Sequence, residues 1–385
     1  MHADLLKIPH FNLIKEVIIR ENCEAYFIGG CVRDIILGRD VHDVDLVCFS
    51  HEYHDFANIL KSALPSVWVE FKDNVRLVRG KTEIDISKPR GKNLDEDLRK
   101  RDFTINNLGM DITGKIYGTM DDLDRRVIRH VSESTFTDDP IRILRVFRFL
   151  SQLGFHIAQE TLSKAGSERQ LLESSASERI FSELDKLFKG SHAQKALSSM
   201  ADCGVYDVIT FGMKITELEK ISAGEGRGLV FFASALFSRL DKQMQDMLAG
   251  RLNFPNAVKK RASRNADFAV KIKKIIASGS DAEIMKIIYA YPEETDDGLK
   301  LFELQAICAG TDPYSVDMAV DRVMTLIGKV DFELPEKLNG TILSEIGIAP
   351  GPLMGTIIKN VRPLMASGEI TSLDAAESYI KEKYL

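Results

Sequence analysis

The sequence predicts an α+β protein. Strands and helices share the first part of the chain, and helices alone make up the rest. Two observations carry this. Five short strand-like runs (residues 25–28, 44–49, 67–71, 75–79 and 82–87) all precede Pro89. From about Val205 onward the apolar spacing is helical, with Gly or Pro breaks at 224–228, Pro255, Pro292, Pro335 and 350–352. At 385 residues the chain also exceeds one typical core, so two to four domains are expected.

Residues 11–22 space Leu13, Ile14, Val17 and Ile18 as a helix that packs on the first sheet. Residues 25–28 then form an apolar strand ending on Gly29-Gly30. Residues 32–37 give one or two helical turns, stopped by Gly38, and Asp43-Val44-Asp45 opens a second strand. Two glycines at a strand-to-helix junction let backbone N–H groups approach a phosphate. Arg33, one turn on, can add a charge-assisted bond to the same anion. Residues i and i+2 of a strand share a face, so Asp43 and Asp45 project together. Such a pair repels unless divalent cations lie between its members. Oxygen-only ligands beside a phosphate suit magnesium.

Residues 51–64 read as a helix, with His54-Asp55 on a solvated face. Metal-dependent phosphohydrolysis would need further spaced histidines, and none follows His192. Three strands come next. In the last, Ile84 and Ile86 face one way and Glu83, Asp85 and Ser87 the other. Asp85 or Glu83 can therefore supply a third carboxylate; the alternative is an edge strand guarded by acid. Residues 94–111, LDEDLRKRDFTINNLGMD, place Asp95-Glu96-Asp97 in a first helical turn, where acid is favourable. An amphipathic run with Ile105, Leu108 and Met110 follows. Asp139-Pro140 is a cap and first-residue pair for a helix. In that helix Arg142, Arg145 and Arg148 recur among apolar residues. Buried arginines are costly unless an anion or an acid meets them.

Taken in order, Gly29-Gly30-Cys31-Val32-Arg33-Asp34, Asp43-Val44-Asp45, KRDFTIN at 100–106 and DDPIR at 138–142 resemble the signature of class II CCA-adding enzymes and bacterial poly(A) polymerases. The resemblance extends to about Gly190. Lys100 replaces the first arginine of R-R-D-F-T-x-N, which keeps charge but loses a bidentate fork. Gly118-Thr119 replaces a glycine pair in the connector, 117–131, and Asp138 replaces the glutamate of E-D-x-x-R. Residues 177–190 match the helix after the active site and read as a neck stiffened by charged pairs.

The resemblance implies a polymerase-β-like nucleotidyltransferase head (1–137), a helical neck with a base-recognition helix (138–204), and a helical body and tail that bind RNA (205–385). It implies template-independent transfer of C or A from CTP or ATP to the 3′ end of tRNA, with two Mg2+ ions on Asp43 and Asp45. It favours Asp85 as the third carboxylate, since the family places that acid shortly before a basic residue, here Arg90. Gly29, Gly30, Arg33 and Arg101 would hold the triphosphate, with Asn106 at the sugar. Asp139 and Arg142, three apart on one helix face, would read the base edge, and Arg145 and Arg148 would back them up or reach phosphate. Only residues 86–93, ISKPRGKN, separate Asp85 from the next helix, where family members that complete CCA carry a longer loop; the resemblance thus leans to addition of CC alone. A poly(A) polymerase is the runner-up, and an inactive RNA-binding protein on the same scaffold the third reading.

The formal net charge of −6 argues against a uniformly basic nucleic-acid binder, but a local basic stripe suffices. Residues 251–274 provide one, rich in Lys and Arg and nearly free of acid. The five cysteines are scattered and match neither a disulfide framework nor a zinc spacing. No signal-peptide core or membrane-length run is seen, so cytoplasmic residence and no obligate protein partner are expected.

Overall fold

β1 (Ala25–Ile28), β2 (Asp43–Cys48), β3 (Val67–Glu70), β4 (Asn74–Arg79), β5 (Thr82–Ser87), β6 (Leu108–Met110) and β7 (Ile116–Gly118) form one mixed sheet, in the order β3-β4-β5-β2-β1-β6-β7. The computed structural model describes residues 5–212 and 228–385. The chain divides into two compact units, Met1–Ile209 and Thr210–Leu385. The expected glycine break at 224–227 lies outside the described residues.

In the sheet of the first unit every neighbouring pair is antiparallel except β2 and β5, which run parallel. A parallel pair needs a crossover. Here α3 (Tyr53–Ala63) and the β3–β4 hairpin supply it. β5 is therefore an interior strand, and acid guarding an edge does not explain Glu83 and Asp85. The alternation is as expected: Ile84 and Ile86 are buried beneath, while Glu83, Asp85 and Ser87 lie on the other face. α1 (Phe11–Arg20) covers β1 through Phe11, Ile14, Val17 and Ile18, with Phe11 5.9 Å from the ring of Phe27; Leu13 of the expected stripe is exposed. α2 (Gly30–Ile36) begins directly at the glycine pair.

The amphipathic run after Arg101 is not a helix. A single 3-10 turn, Thr104–Asn106, leads into β6, which pairs Met110 with Phe27 and Gly109 with Ile28. Gly109 disfavours helix and leaves room for Leu94 of α4 (Leu94–Arg99), which would approach a β-carbon there to 3.1 Å.

The helices that follow are α5 (Asp121–Asp124), α6 (Thr135–Asp138), α7 (Arg142–Leu153), α8 (Gln159–Ser167), α9 (Ser177–Phe188), α10 (Ala193–Asp202) and α11 (Val205–Ile209). β8 (Val127–Ile128) and β9 (His156–Ile157) form a small parallel pair. α7 is buried over most of its length and packs on α9 and α10. Gly190 lets α7 come this close: a β-carbon there would stand 2.3 Å from Ser151 Oγ. Asp139 does not cap α7. The residue at the cap position is Ile141, with no side-chain cap.

The second unit holds α12 (Gly228–Phe237), α13 (Lys242–Arg251), α14 (Asn256–Ile275), α15 (Asp281–Ala290), α16 (Thr295–Cys308), α17 (Pro313–Ile327), α18 (Leu334–Lys337), α19 (Gly340–Ile346), α20 (Pro352–Ala366) and α21 (Leu373–Tyr384). Pro255 and Pro352 stand at helix starts, where a missing N–H costs nothing. Phe268 of α14 fills the space above Gly298 of α16. The basic stripe forms much of α14, but it is not a bare cationic face. Lys259 pairs with Asp246, Arg261 with Asp297, and Arg264 with Glu294. Lys260, Lys273 and Lys274 are exposed.

Gly118, at the end of β7, has φ of 95°, and a β-carbon there would lie 2.2 Å from the carbonyl oxygen of Asn107. Gly38 also has positive φ, 71°, but open space around it. Gly118→Ala should cost at least about 3 kcal/mol by adding a backbone clash to the strain, and Gly38→Ala only about 1 kcal/mol. Equal losses in denaturant titrations of the two variants would contradict the close approach.

Candidate active site

The carboxylates come from strand register. β2 and β5 place Asp43 beside Glu83 and Asp45 beside Asp85. Above Asp45 the chain turns at Gly29, whose φ is 69°. β-carbons at Gly29 and Gly30 would each stand 3.9 Å from Asp45 Oδ2, so the glycines keep the space before that carboxylate open. A pocket of about 280 Å³ results. Its floor is Gly29, Gly30, Asp45 and Asp85, together with Asn74 and Ser87. Its walls are Arg90, Arg101, Asp102 and Asn106 from the segments flanking α4, and Asp139, Arg142 and Arg145 from the start of α7. Nine residues expected from the sequence meet here. Asp43 lies just outside, exposed at the start of β2; Arg33 and Arg148 do not line the pocket.

The carboxylates are not equivalent. Asp85 accepts from Arg76 Nε and Nη2, both at 2.8 Å, and from Asn74 Nδ2 at 3.1 Å. Arg76 also pairs with Glu83. The third carboxylate is thus neutralised by a fork that the β4–β5 register puts opposite it. Asp45 has no such fork. Burial, then Asp85, pushes its carboxyl up to about 6, with Asp43 adding to the effect. An acid raised this way, beside an exposed second aspartate and oxygen donors only, fits a hard divalent cation held by Asp43 and Asp45.

The arginines divide into two sets. Arg101 is anchored on the buried Asp97 (Nη2 to Oδ2, 2.6 Å), while its Nη1 would lie 3.4 Å from a β-carbon at Gly29. Asp97 also accepts from the N–H of Arg90 at 2.8 Å, so this acid, expected only to favour a helix start, is a tether. Burial, then Arg101 and Arg142, presses Arg90 below the usual guanidinium range. Three like charges gathered this way call for an anion. Arg145 pairs with Asp102 at 2.8 Å. Burial opposes ionisation of Asp102, yet Arg145, the Asn106 amide and the Phe103 N–H hold the carboxyl down to about 2.

Arg33 and Arg148 are the second set, and here the sequence expectation is corrected. Arg33 is buried, grips Asp34 through Nε and Nη2, and donates from Nη1 to Asn106 Oδ1 at 2.7 Å. It orients the amide instead of facing a phosphate. Arg148 pairs with Glu183 of α9 at 3.1 Å and lies over the ring of Phe149. Burial, then Arg145, brings it down to about 10, so it stays charged within a structural pair.

α9 also supplies the residue that the sequence concealed. Arg179 Nη1 and Nη2 donate to Asp139 Oδ1 and Oδ2 at 3.0 and 2.8 Å. The charges of α9 thus reach to the start and middle of α7, beyond the intrahelical Lys189–Asp185 pair that fits a stiffened neck. Each carboxylate oxygen keeps a lone pair for a ligand. Arg142, also in the pocket wall, is steadied by the Thr135 carbonyl at 3.2 Å.

Because folding raises the Asp45 carboxyl above its ordinary 3.8, ionising it costs stability. The cost is absent below the unfolded value and complete once the pH passes about 6. In chelator at neutral pH, Asp45→Asn should therefore melt a few degrees higher than the parent chain, and the gap should close on acidification. Divalent cation should raise the parent's melting temperature and not the variant's. Calorimetry that finds the variant less stable at neutral pH would refute this.

A family model described as the poly(A) polymerase head domain matches residues 25–93. One described as a probable RNA- and SrmB-binding site of polymerase A matches residues 154–212. A CCA-adding enzyme of Streptococcus pyogenes serotype M2 is 29% identical over 409 residues, covering 98% of this chain and 96% of the relative. Among solved structures, a Thermotoga maritima CCA-adding enzyme complexed with tRNA superposes with a TM-score of 0.74 at 20% identity, over 100% of this chain and 99% of that one. A Bacillus stearothermophilus CCA-adding enzyme in complex with CTP gives 0.70 at 22%, over 98% of each. The head is polymerase-β-like, as these folds are. With the glycine pair, Asp45 and the start of the arginine helix drawn into one pocket, the chain carries a stretch matching the poly(A) polymerase head domain and is similar over nearly its whole length to CCA-adding enzymes.

Proposed function

We propose that this protein is a template-independent tRNA nucleotidyltransferase working in the cytoplasm, and that its addition stops at CC. The observation that carries the reaction class is Asp45, with Asp43 two residues away just outside the pocket, facing gathered arginines across that pocket. The 3′ hydroxyl of the RNA attacks the α-phosphate of the nucleotide, and pyrophosphate leaves. Asp43 and Asp45 would hold Mg2+, which when bound lowers the hydroxyl's pKa and screens charge on the leaving oxygens. Gly29, Gly30, Arg101 and Arg90 would cradle the triphosphate, Arg145 and Asn106 would line the sugar side, and Asp85 would stay gripped by Arg76. The head, neck and RNA-binding body proposed from the sequence remain the working division.

Base choice follows from Asp139 and Arg142. A carboxylate accepts from the exocyclic amine shared by cytosine and adenine, and a guanidinium donates to ring acceptors. Guanine and uracil present oxygen where the amine should be. Arg179 fixes Asp139 for this role without itself lining the pocket.

The restriction to CC rests on the connection between β5 and α4. Residues 88–93 are short and tied down. Lys88 N–H donates to the Asp73 carbonyl, Arg90 N–H to Asp97, and Lys92 N–H to Glu96. Lys100 Nζ donates to the Arg90 carbonyl at 2.6 Å. Gly91 packs so tightly that a β-carbon would fall 2.3 Å from Glu96 Cβ. A segment held by its own backbone has little reach to swing and reshape a pocket.

A tRNA lacking its last three nucleotides, incubated with CTP and ATP together, should yield products ending at CC on a sequencing gel. Complete CCA ends would refute the restriction, and long A tails would make the chain a poly(A) polymerase. Asp43→Ala should give no product while remaining folded. Arg142→Ala and Arg179→Ala should each lower discrimination of CTP over UTP by roughly 10- to 100-fold. Arg179→Lys should not restore it, since an ammonium cannot grip both oxygens. Unchanged discrimination in a still-active Arg179→Ala enzyme would remove Asp139 from base reading.

A further inference from the structure

At the end of β1 and β2 away from the pocket, three side chains with soft or borderline donors converge. Cys23 precedes β1, Cys48 ends β2, and His51 follows it. Both sulfurs and a ring nitrogen of the histidine lie within 4.8 Å of one another. Spacing along the chain gave no such pattern; register creates it. Ala25 faces Cys48, so Cys23, two residues earlier on the same face, stands diagonally across from it. The ladder runs on past the strands. Phe49 N–H donates to the Glu24 carbonyl at 2.8 Å, and Glu24 N–H to Ser50 Oγ at 2.9 Å. Ser50 Oγ is 3.0 Å from His51 Nδ1, and Cys23 Sγ is 3.7 Å from the same nitrogen.

We propose that Cys23, Cys48 and His51 form a second metal site, for zinc or a similarly thiophilic divalent ion, separate from the carboxylate site. Two thiolates and an imidazole suit such an ion and are poor ligands for magnesium. Cys48 is buried, while Cys23 and His51 are partly exposed. The ion therefore has an approach from solvent and a fourth position for water. A disulfide fits the same residues less well. Diagonal partners stand about 7–8 Å apart at Cα, at or beyond the limit of about 7 Å for a bridge. Two sulfurs on one ion, each at about 2.3 Å, need approach only to about 3.8 Å. The site lies about 10 Å along β2 from Asp45. It would tie the entry of β1, where Asn22 turns with φ of 51°, to the exit of β2, and so brace the sheet from behind.

The full chain, reduced and stripped with chelator, is titrated with zinc and with cobalt in excess magnesium. One equivalent of zinc should survive dialysis, the melting temperature should rise, and cobalt should give a thiolate charge-transfer band in the near ultraviolet. Cys23→Ser and His51→Gln should weaken zinc binding by more than about 100-fold, since even outer partners of ligands are worth 10–100-fold. Asp45→Asn should keep the zinc and the band. The proposal fails if the parent chain retains no stoichiometric zinc, if Cys23→Ser binds it unchanged, or if mass spectrometry finds Cys23 and Cys48 joined in the native protein. Should a variant fold poorly, the cobalt spectrum of the parent chain decides, because the band requires sulfur ligation.

Discussion

Four carboxylates share one parallel ribbon, and balancing their charge is the constraint around which the first unit is arranged. The β2–β5 register sets Asp43 beside Glu83 and Asp45 beside Asp85. Arg76, opposite Asp85 on β4, pairs with both β5 members, while Asp45 on β2 feels Arg101 and Arg145 only at a distance. The same logic recurs around the pocket. Arg101 is anchored on Asp97 and Arg145 on Asp102; Arg33 acts through Asn106. A cation already held by an acid loses little freedom when an anionic ligand arrives, which is how a site is preorganised for charge that develops during reaction.

The parts legible in the sequence were those whose geometry is local. A glycine pair between strand and helix, aspartates two apart, and the alternation through Asp85 depend on a few neighbouring residues. The rest depended on pairing between distant segments. Arg76 finds Asp85 only through hairpin register, and Arg179 meets Asp139 across 40 residues. Arg33 and Arg148 were misjudged for a common reason. Helical spacing reveals which way an arginine points but not which acid or amide fills the space there. The run Ile105, Leu108, Met110 misleads because a 3-10 turn followed by a strand produces steps of three and then two, close to one face of a helix.

The second unit teaches the same lesson about charge. The basic run of α14 reads as a face for an RNA backbone, yet three of its cations are met by acids from α13, α16 and the α15–α16 turn. What an RNA could meet is a sparser set, Lys260, Lys273 and Lys274, on a helix otherwise committed to its own packing.

The two ion pairs that α9 makes with the residues around α7 differ in their access to solvent. Arg148 and Glu183 are each about one-tenth exposed, whereas the Arg179 side chain is 55% exposed. Mobile ions screen the second pair far more than the first. Rising ionic strength should therefore loosen the grip on Asp139 while leaving the helix packing intact. With Asp139 in the base-reading role proposed for it, fidelity and fold would respond to salt on different scales, so an enzyme still fully folded in strong electrolyte would make more errors in choosing its nucleotide.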